Sequence, residues 1–280
     1  MYGAMIINEN VIVDGLVGHF VLAGYNSLLK DEGTTYQVVS IDGLDPPKAQ
    51  LNFTKAATID GAFFNSATLP TRNIVINLKI NNDVERVRSD INNICRIKDK
   101  VRFFYKTNAK EVTIDCYVES VEYNLFERSE VVQISLICPS PNFKSVTATT
   151  IEKTFSGSST IANIINNSPC DVGFKMTITF HDPVSYLGLL FSSSTHIRFN
   201  NYSIQSGDIL TVNAYDGYFN CTLKKASDSK TINFIPYLTD DSTIVKLAPG
   251  NNSLAVASLA TGSAASITIK LEYNTEYRGI

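Results

Sequence analysis

From Asn73 to Ile80 the chain reads NIVINLKI, so Ile74, Ile76, Leu78 and Ile80 fall on one side and Asn73, Val75, Asn77 and Lys79 on the other. Strict alternation puts successive side chains on opposite faces of a pleated backbone, which is the pattern of a half-buried strand. It returns from Val112 to Ser120, where Val112, Ile114, Cys116 and Val118 alternate with Thr113, Asp115, Tyr117 and Glu119, and again from Val131 to Cys138. The last two stretches are expected to form one long hairpin, with the polar run Asn124 to Ser129 near its tip. Strand signals dominate, and the fold class they predict is mainly β.

One segment of the N-terminal half departs from this period. In DVERVRSDINNICRIKDK the apolar residues Val84, Val87, Ile91 and Ile94 fall at helical spacing. Asp83 is placed to cap the N-terminus, and Lys98 and Lys100 to complement the negative C-terminal end of the helix dipole. Val101 to Tyr105 then returns to strand character.

Beyond Cys138 the texture changes to KSVTATTIEKTFSGSSTIANIINNSPC, rich in Ser, Thr and Asn. A chain of 280 residues predicts two domains more readily than one, and the boundary is read within Lys144 to Thr150, giving domains 1–145 and 146–280. Candidate strands in the second are Phe174 to Phe180, Ile209 to Asn213, Tyr218 to Leu223, Thr231 to Ile235 and Ser266 to Tyr273. Ser206-Gly207-Asp208, Asp216-Gly217 and Pro249-Gly250-Asn251 punctuate them as turns. Short strands separated by such turns predict a β-sandwich.

Charge and motifs exclude several functions. With 24 Lys and Arg against 27 Asp and Glu, and no basic run, the chain is not built for sequence-specific nucleic-acid binding. No apolar stretch reaches the about 18 residues of a membrane span, so no membrane insertion is expected. The N-terminus has no basic region before its apolar patches, so no secretory signal is expected. Five cysteines, Cys95, Cys116, Cys138, Cys170 and Cys221, are odd in number and widely spaced, which reads as buried, reduced thiols.

His19, His181 and His196 have no partner at metal-ligand spacing, and no GxSxG, P-loop or GxGxxG motif occurs. His181-Asp182 reads as a strand end before the turn at Asp182-Pro183. Asp208, Asp216, Asp228, Asp240 and Asp241 lie in turn contexts, where Asp bonds its own backbone. No catalytic residue, metal site or cofactor is predicted. Carbohydrate binding through Tyr202, Tyr215, Tyr218 or Tyr237 stays open, although the chain has no Trp and tyrosines on sandwich strands more often pack a half-buried face.

The order of elements carries more than any one residue. YQVVSIDGLDPP is followed by DGAFFNSATLPTRNIVINLKI, with Arg72 opening a strand, then by the helix and by the hairpin ending in ISLICPSPNF. This resembles the distal tail protein family of long-tailed bacteriophages, Dit, in which an apolar strand and a Cys/Pro-aromatic element close the N-terminal domain. Cys138, Pro139, Pro141 and Phe143 match that element, with Ser140 where the family has an acidic residue. In the C-terminal half Ile164, Ile165, Asn166 and Asn167, then SIQSGDILTVN with Gly207 and Asp208, resemble further family elements. VKLAPGNNSLAV with Pro249, Gly250 and Asn252, and the ending EYRGI, do likewise.

The resemblance implies an N-terminal β-sandwich or tube-type domain with one α-helix and a long β-hairpin, followed by a C-terminal galectin-like β-sandwich. It implies a structural role without enzyme activity. Copies would join through their N-terminal domains into a homohexameric ring at the virion tail tip, after assembly in the cytoplasm of the bacterial host. The ring would bridge the tail tube protein to a tail-tip hub or tail-associated lysin-type protein and to receptor-binding or baseplate proteins. Two physical expectations accompany it. The edges of the long hairpin would be paired by neighbouring subunits, and the face bearing Asp115 and Glu119 would line the lumen, its negative charge keeping passing DNA from sticking. A monomeric two-domain carbohydrate-binding adhesin is the alternative, and a glycosidase with two carboxylates across a cleft the third.

Overall fold

The computed structural model describes residues 10–14, 19–23, 36–55, 57–58, 60–106, 110–124, 131–156, 161–191, 195–200, 202–215, 217–259 and 265–280. The hairpin tip 125–130 and Asp216 lie outside them. The chain divides into two units, Met1–Val146 with Tyr277–Ile280, and Thr147–Glu276. The last four residues, which the sequence reading assigns to the second domain, thus belong to the first, because Tyr277 and Ile280 pack against its core.

In the first unit the strands are β1 (Asn10–Asp14), β2 (His19–Ala23), β3 (Tyr36–Asp42), β4 (Gln50–Thr54), β5 (Phe63–Thr68) and β6 (Arg72–Ile80). Helix α1 (Val84–Ile94) follows, then β7 (Lys100–Lys106), β8 (Glu111–Tyr123), β9 (Val131–Cys138) and β10 (Phe143–Ser145). The main sheet has the order β2-β1-β7-β8-β9-β6-β3, and its two end strands, β2 and β3, curl back near each other. Of sandwich and tube-type, the rolled sheet fits the second description. Its inner face carries the alternating residues of β6, β8 and β9, among them Ile74, Ile76, Cys116, Ile134 and Leu136, all fully buried. Val87 and Ile91 of α1 close this core.

β8 and β9 pair antiparallel as the long hairpin requires, but they lie in the middle of the sheet, β8 against β7 and β9 against β6. The expectation of unpaired hairpin edges is therefore corrected. β9 is paired on both sides, and β8 pairs with β7 over 111–117 and with β9 over 117–123, so the hairpin's neighbours are supplied within the chain.

The ends of the helix also differ from the reading. Asp83 has a left-handed backbone (φ 51°) and makes no side-chain cap, because this is not the extended geometry from which a capping carboxylate reaches the next N–H groups. Its backbone carbonyl accepts the Val87 N–H instead at 3.0 Å. No basic residue sits in the last turn. Lys98 donates its N–H to the Val118 carbonyl at 2.9 Å, and Lys100 opens β7.

The second unit holds β11 (Thr149–Ser156), β12 (Ile161–Asn166), β13 (Lys175–Phe180), β14 (Tyr186–Phe191), β15 (Thr195–Phe199), β16 (Ile209–Tyr215), β17 (Tyr218–Lys224), β18 (Thr231–Asn233), β19 (Gly250–Leu259) and β20 (Ser266–Tyr273). Two sheets form, in the orders β11-β20-β13-β16-β17-β18 and β12-β19-β14-β15. Met176, Ile178, Leu210 and Ile269 from the first meet Ile164, Leu189, Ile197 and Val256 from the second in one buried core, which makes this unit a β-sandwich. The expected strand Thr231 to Ile235 ends at Asn233, and a 3₁₀ turn follows at Ile235–Tyr237. Pro236 lacks the N–H that a continuing ladder would use.

Candidate functional site

Alternation turns Lys79, Lys100, Arg102, Lys106, Glu111, Asp115 and Glu122 away from the core of the first unit, and Glu119 joins them as an exposed residue. Asp115 stands across from Arg102 and bonds its Nε at 2.8 Å and the Lys100 Nζ at 2.8 Å. Burial pushes the Asp115 carboxyl up, but these hydrogen bonds and charges outweigh it and hold the group below its ordinary range. Lys106 pairs with Glu111 in the same ladder. Glu119 lies at the β8 bulge between Val118 and Ser120, where its carboxylate accepts the Ser135 hydroxyl at 2.7 Å. The expected negative lining is thus modified. Asp115 is the centre of a cation–anion–cation group, and the charges of this face match nearly one for one.

The residues that carry the resemblance in the first half do converge, around Arg72. This side chain is only 3% exposed, yet among the described residues its hydrogen bonds go to backbone carbonyls and not to a carboxylate. Its Nε donates to the Pro141 carbonyl at 2.8 Å, its Nη1 to the carbonyls of Asp45 at 2.7 Å and of Gly43, and its Nη2 to that of Arg278. The guanidinium also lies 4.5 Å from the centre of the Phe143 ring. Burial lowers the Arg72 pKa, and Cys138, its partner across the ladder, followed by Asp45, offsets part of this. One cation therefore ties the loop after β3, the Cys138-Pro139-Ser140-Pro141 exit of β9 and the chain end into one cluster. Close approach here requires glycine. A Cβ on Gly43 (φ +88°) would sit 2.0 Å from the Asn73 carbonyl oxygen, and one on Gly279 would sit 2.6 Å from the Pro46 ring.

In the second unit the singled-out residues hold turns. Asp208, 3% exposed, accepts the backbone N–H groups of Gln205 at 2.9 Å and Ala226 at 2.8 Å, beside Gly207 at φ +84°. Asn252 accepts from the Ala248 N–H at 2.9 Å and donates to the Ala248 carbonyl at 2.8 Å, closing the Pro249-Gly250 turn. Asn166, 1% exposed, donates to the carbonyls of Cys170 and Leu247 and accepts from Ser168. Asp182 receives the Ser266 N–H at 3.0 Å rather than orienting His181, whose ring meets Thr268 at 2.8 Å. His196 and Arg198 both reach Asp241, at 3.1 and 2.5 Å. Tyr202 and Tyr237 pack with Phe199 and Phe234 in an aromatic cluster, while Tyr218 stays exposed. The side chain of His19 lies outside the described ones.

The β4–β5 hairpin, over which the sequence reading places no strand, presents an exposed apolar face. Every residue of both strands is exposed. Leu51, Phe53, Phe64 and Ala67 share one face, with Phe53 and Phe64 edge to face at 6.0 Å. The opposite face pairs Asn52 with Ser66 and carries Gln50 and Thr68. Phe53, Phe63 and Phe64 are each more than half exposed. An isolated two-stranded hairpin is marginal in water, and an apolar face of this kind marks an interaction surface. The signal available was the alternation in QLNFT, which lacks the buried register that makes other strands legible.

No family model and no curated protein matches the chain. Among solved structures it is similar to the Dit protein of phage SPP1, described as a hub of the adsorption apparatus in phages that infect Gram-positive bacteria. That superposition has a TM-score of 0.66 at 12% identity and covers 86% of this chain and 93% of that one. A chain of the phage P2 baseplate gives a TM-score of 0.50 at 11% identity, covering 98% and 100%. The chain has the fold of SPP1 Dit.

Proposed function

We propose that this chain is a structural, non-catalytic subunit of a phage tail tip, a distal tail or baseplate hub component. The observation that carries the reading is the fold likeness to SPP1 Dit, which runs through both units and nearly the whole length of each chain. In this reading copies join through their first units into a homohexameric ring that continues the tail tube. The second, galectin-like sandwich offers a docking platform for receptor-binding or baseplate proteins, and the tail tube protein and a hub or lysin-type protein bind the two faces of the ring. Synthesis and assembly take place in the host cytoplasm. The exposed apolar face of the β4–β5 hairpin supports self-assembly, since a monomer would leave it in water.

The reading also lines the ring with the face bearing Asp115 and Glu119. A lumen whose cations are matched by anions offers no net field to hold a passing polyanion. Asp115→Lys would break its own pairs with Lys100 and Arg102, so Glu119→Lys with Glu122→Lys is the cleaner probe. Ejection impaired in assembled particles is expected, and unaltered ejection refutes the lining.

The decisive experiment is the absolute mass of the purified protein by light scattering, with negative-stain imaging. A species of six times the 30.8 kDa chain with a central hole is expected. A monomer at every concentration that binds on a glycan array would replace this reading with that of a carbohydrate-binding adhesin.

A further inference from the structure

The rolled sheet buries two thiols against each other. Cys116 of β8 and Cys138 of β9 are each 0% exposed, and their Sγ atoms lie 3.0 Å apart. The β8–β9 ladder ends at Tyr117 opposite Ile137, and Cys116 and Cys138 are the next residue of each strand beyond that pair. Facing residues of antiparallel strands have Cα atoms about 4.5 or 5.5 Å apart, and both values fall inside the span that a disulfide bridges. A pair that continues this register lies within that span, and the two sulfurs, already in contact at 3.0 Å, need approach by only about 1 Å to bond. Cys95, Cys170 and Cys221 are buried as well, and none of them is in a disulfide.

We propose that Cys116 and Cys138 form an oxidisable dithiol, a latent staple that closes into a cross-strand disulfide when the folded protein meets a small two-electron oxidant such as hydrogen peroxide. One thiolate attacks the O–O bond, giving a sulfenic acid and one water. The second thiol attacks that sulfur, forms the S–S bond and releases a second water. Overall two thiols lose two hydrogens and one peroxide becomes two waters. The reaction is slow in the folded state, because the S–H···S contact with Cys138 and then burial hold the Cys116 thiol protonated. The disulfide would close a loop spanning 22 positions and lock β8 to β9 at the centre of the sheet.

This chemistry belongs to the chain alone. Its occasion, passage from a reducing cytoplasm to an oxidising medium, rests on the tail-protein reading, so failure of the ring experiment leaves the dithiol intact and the reverse also holds.

The test is oxidation of the full-length native protein with peroxide, quenching with catalase, then denaturation and alkylation before intact-mass and peptide analysis. Untreated protein takes up five alkyl groups. Oxidised protein is expected to take up three, to yield a linked peptide joining Cys116 to Cys138, and to melt about 5 °C higher, an increment that reductant removes. Cys116→Ala, or Cys138→Ala if the first folds poorly, abolishes both the link and the increment. Uptake of five groups after oxidation, a link between other cysteines, or loss of labels to sulfinic acids without a link would each overturn the proposal.

Discussion

Replacing Arg72 with methionine tests the central claim about the first unit, that a buried cation holds three chain segments together through backbone carbonyls. Methionine keeps most of the apolar stem and removes every donor. The carbonyls of Gly43 and Pro141, both in half-buried residues, then lack partners at about 1.5 kcal/mol each, and loss of the contact with Phe143 adds about 1 kcal/mol. Asp45 and Arg278 are exposed residues, so their carbonyls rehydrate at little cost. Release of the guanidinium from its desolvated site offsets part of the sum, leaving a loss of about 3 kcal/mol, or about 10 °C in the melting of a unit this size. Calorimetry reads this as a shift of one transition, and hydrogen exchange reads faster opening of residues 278–280. Lysine, with one compact ammonium in place of a planar fork, should recover less than half. A double-mutant cycle with a chain ending at Tyr277 should show strong coupling. If Arg72→Met costs less than about 1 kcal/mol, or Arg72→Lys melts like the parent, the cation is not what joins these segments.

Asp208→Ala orphans the N–H groups of Gln205 and Ala226 and should destabilise the second unit by about 2 kcal/mol in urea unfolding, with Asp208→Asn recovering part of it. Asp115 has a folded pKa below its ordinary value, so the stability it contributes is present above that ordinary value and is lost as pH falls through the folded one. With its side chain 43% exposed, the contribution is about 0.5 kcal/mol. The stability difference between the parent and Asp115→Asn should be constant above pH 5 and vanish in acid, and a difference unchanged at low pH contradicts the pairing. Phe53→Ser with Phe64→Ser should leave melting unchanged and reduce the light-scattering mass to that of one chain. An intact assembly after both changes would remove the hairpin from the interface.

How much of this could be read in advance differs from element to element, for physical reasons. β6, β8, β9, β16, β17 and β20 each bury one face, so their alternation is written in neighbouring residues, and the helical spacing of Val87 and Ile91 is equally local. Other strands escape this logic. β14, YLGLLF, is buried at most positions and shows no alternation, while β4 and β5 are exposed on both faces and show no burial register. β11 is an edge strand with Phe155 its single buried side chain. Asp83 satisfies the composition of a cap, but whether it caps was decided by its backbone angle.

The Arg72 cluster marks the same division more sharply. Its members were named from sequence because they stand in a family-like order, yet nothing local says that Arg72 and Arg278, 206 positions apart, share a hydrogen bond. Likewise Asp115 is legible as an outward carboxylate, but its neutralisation depends on β7 lying beside β8, which brings Lys100 and Arg102 alongside. By itself the amino-acid sequence determines which residues seek burial and at what period, because those preferences act between near neighbours along the chain. Only the tertiary structure decides which strands become neighbours, and so which charges cancel, which thiols meet and which apolar hairpin is left exposed, because those outcomes sum many weak contacts between distant parts of the chain.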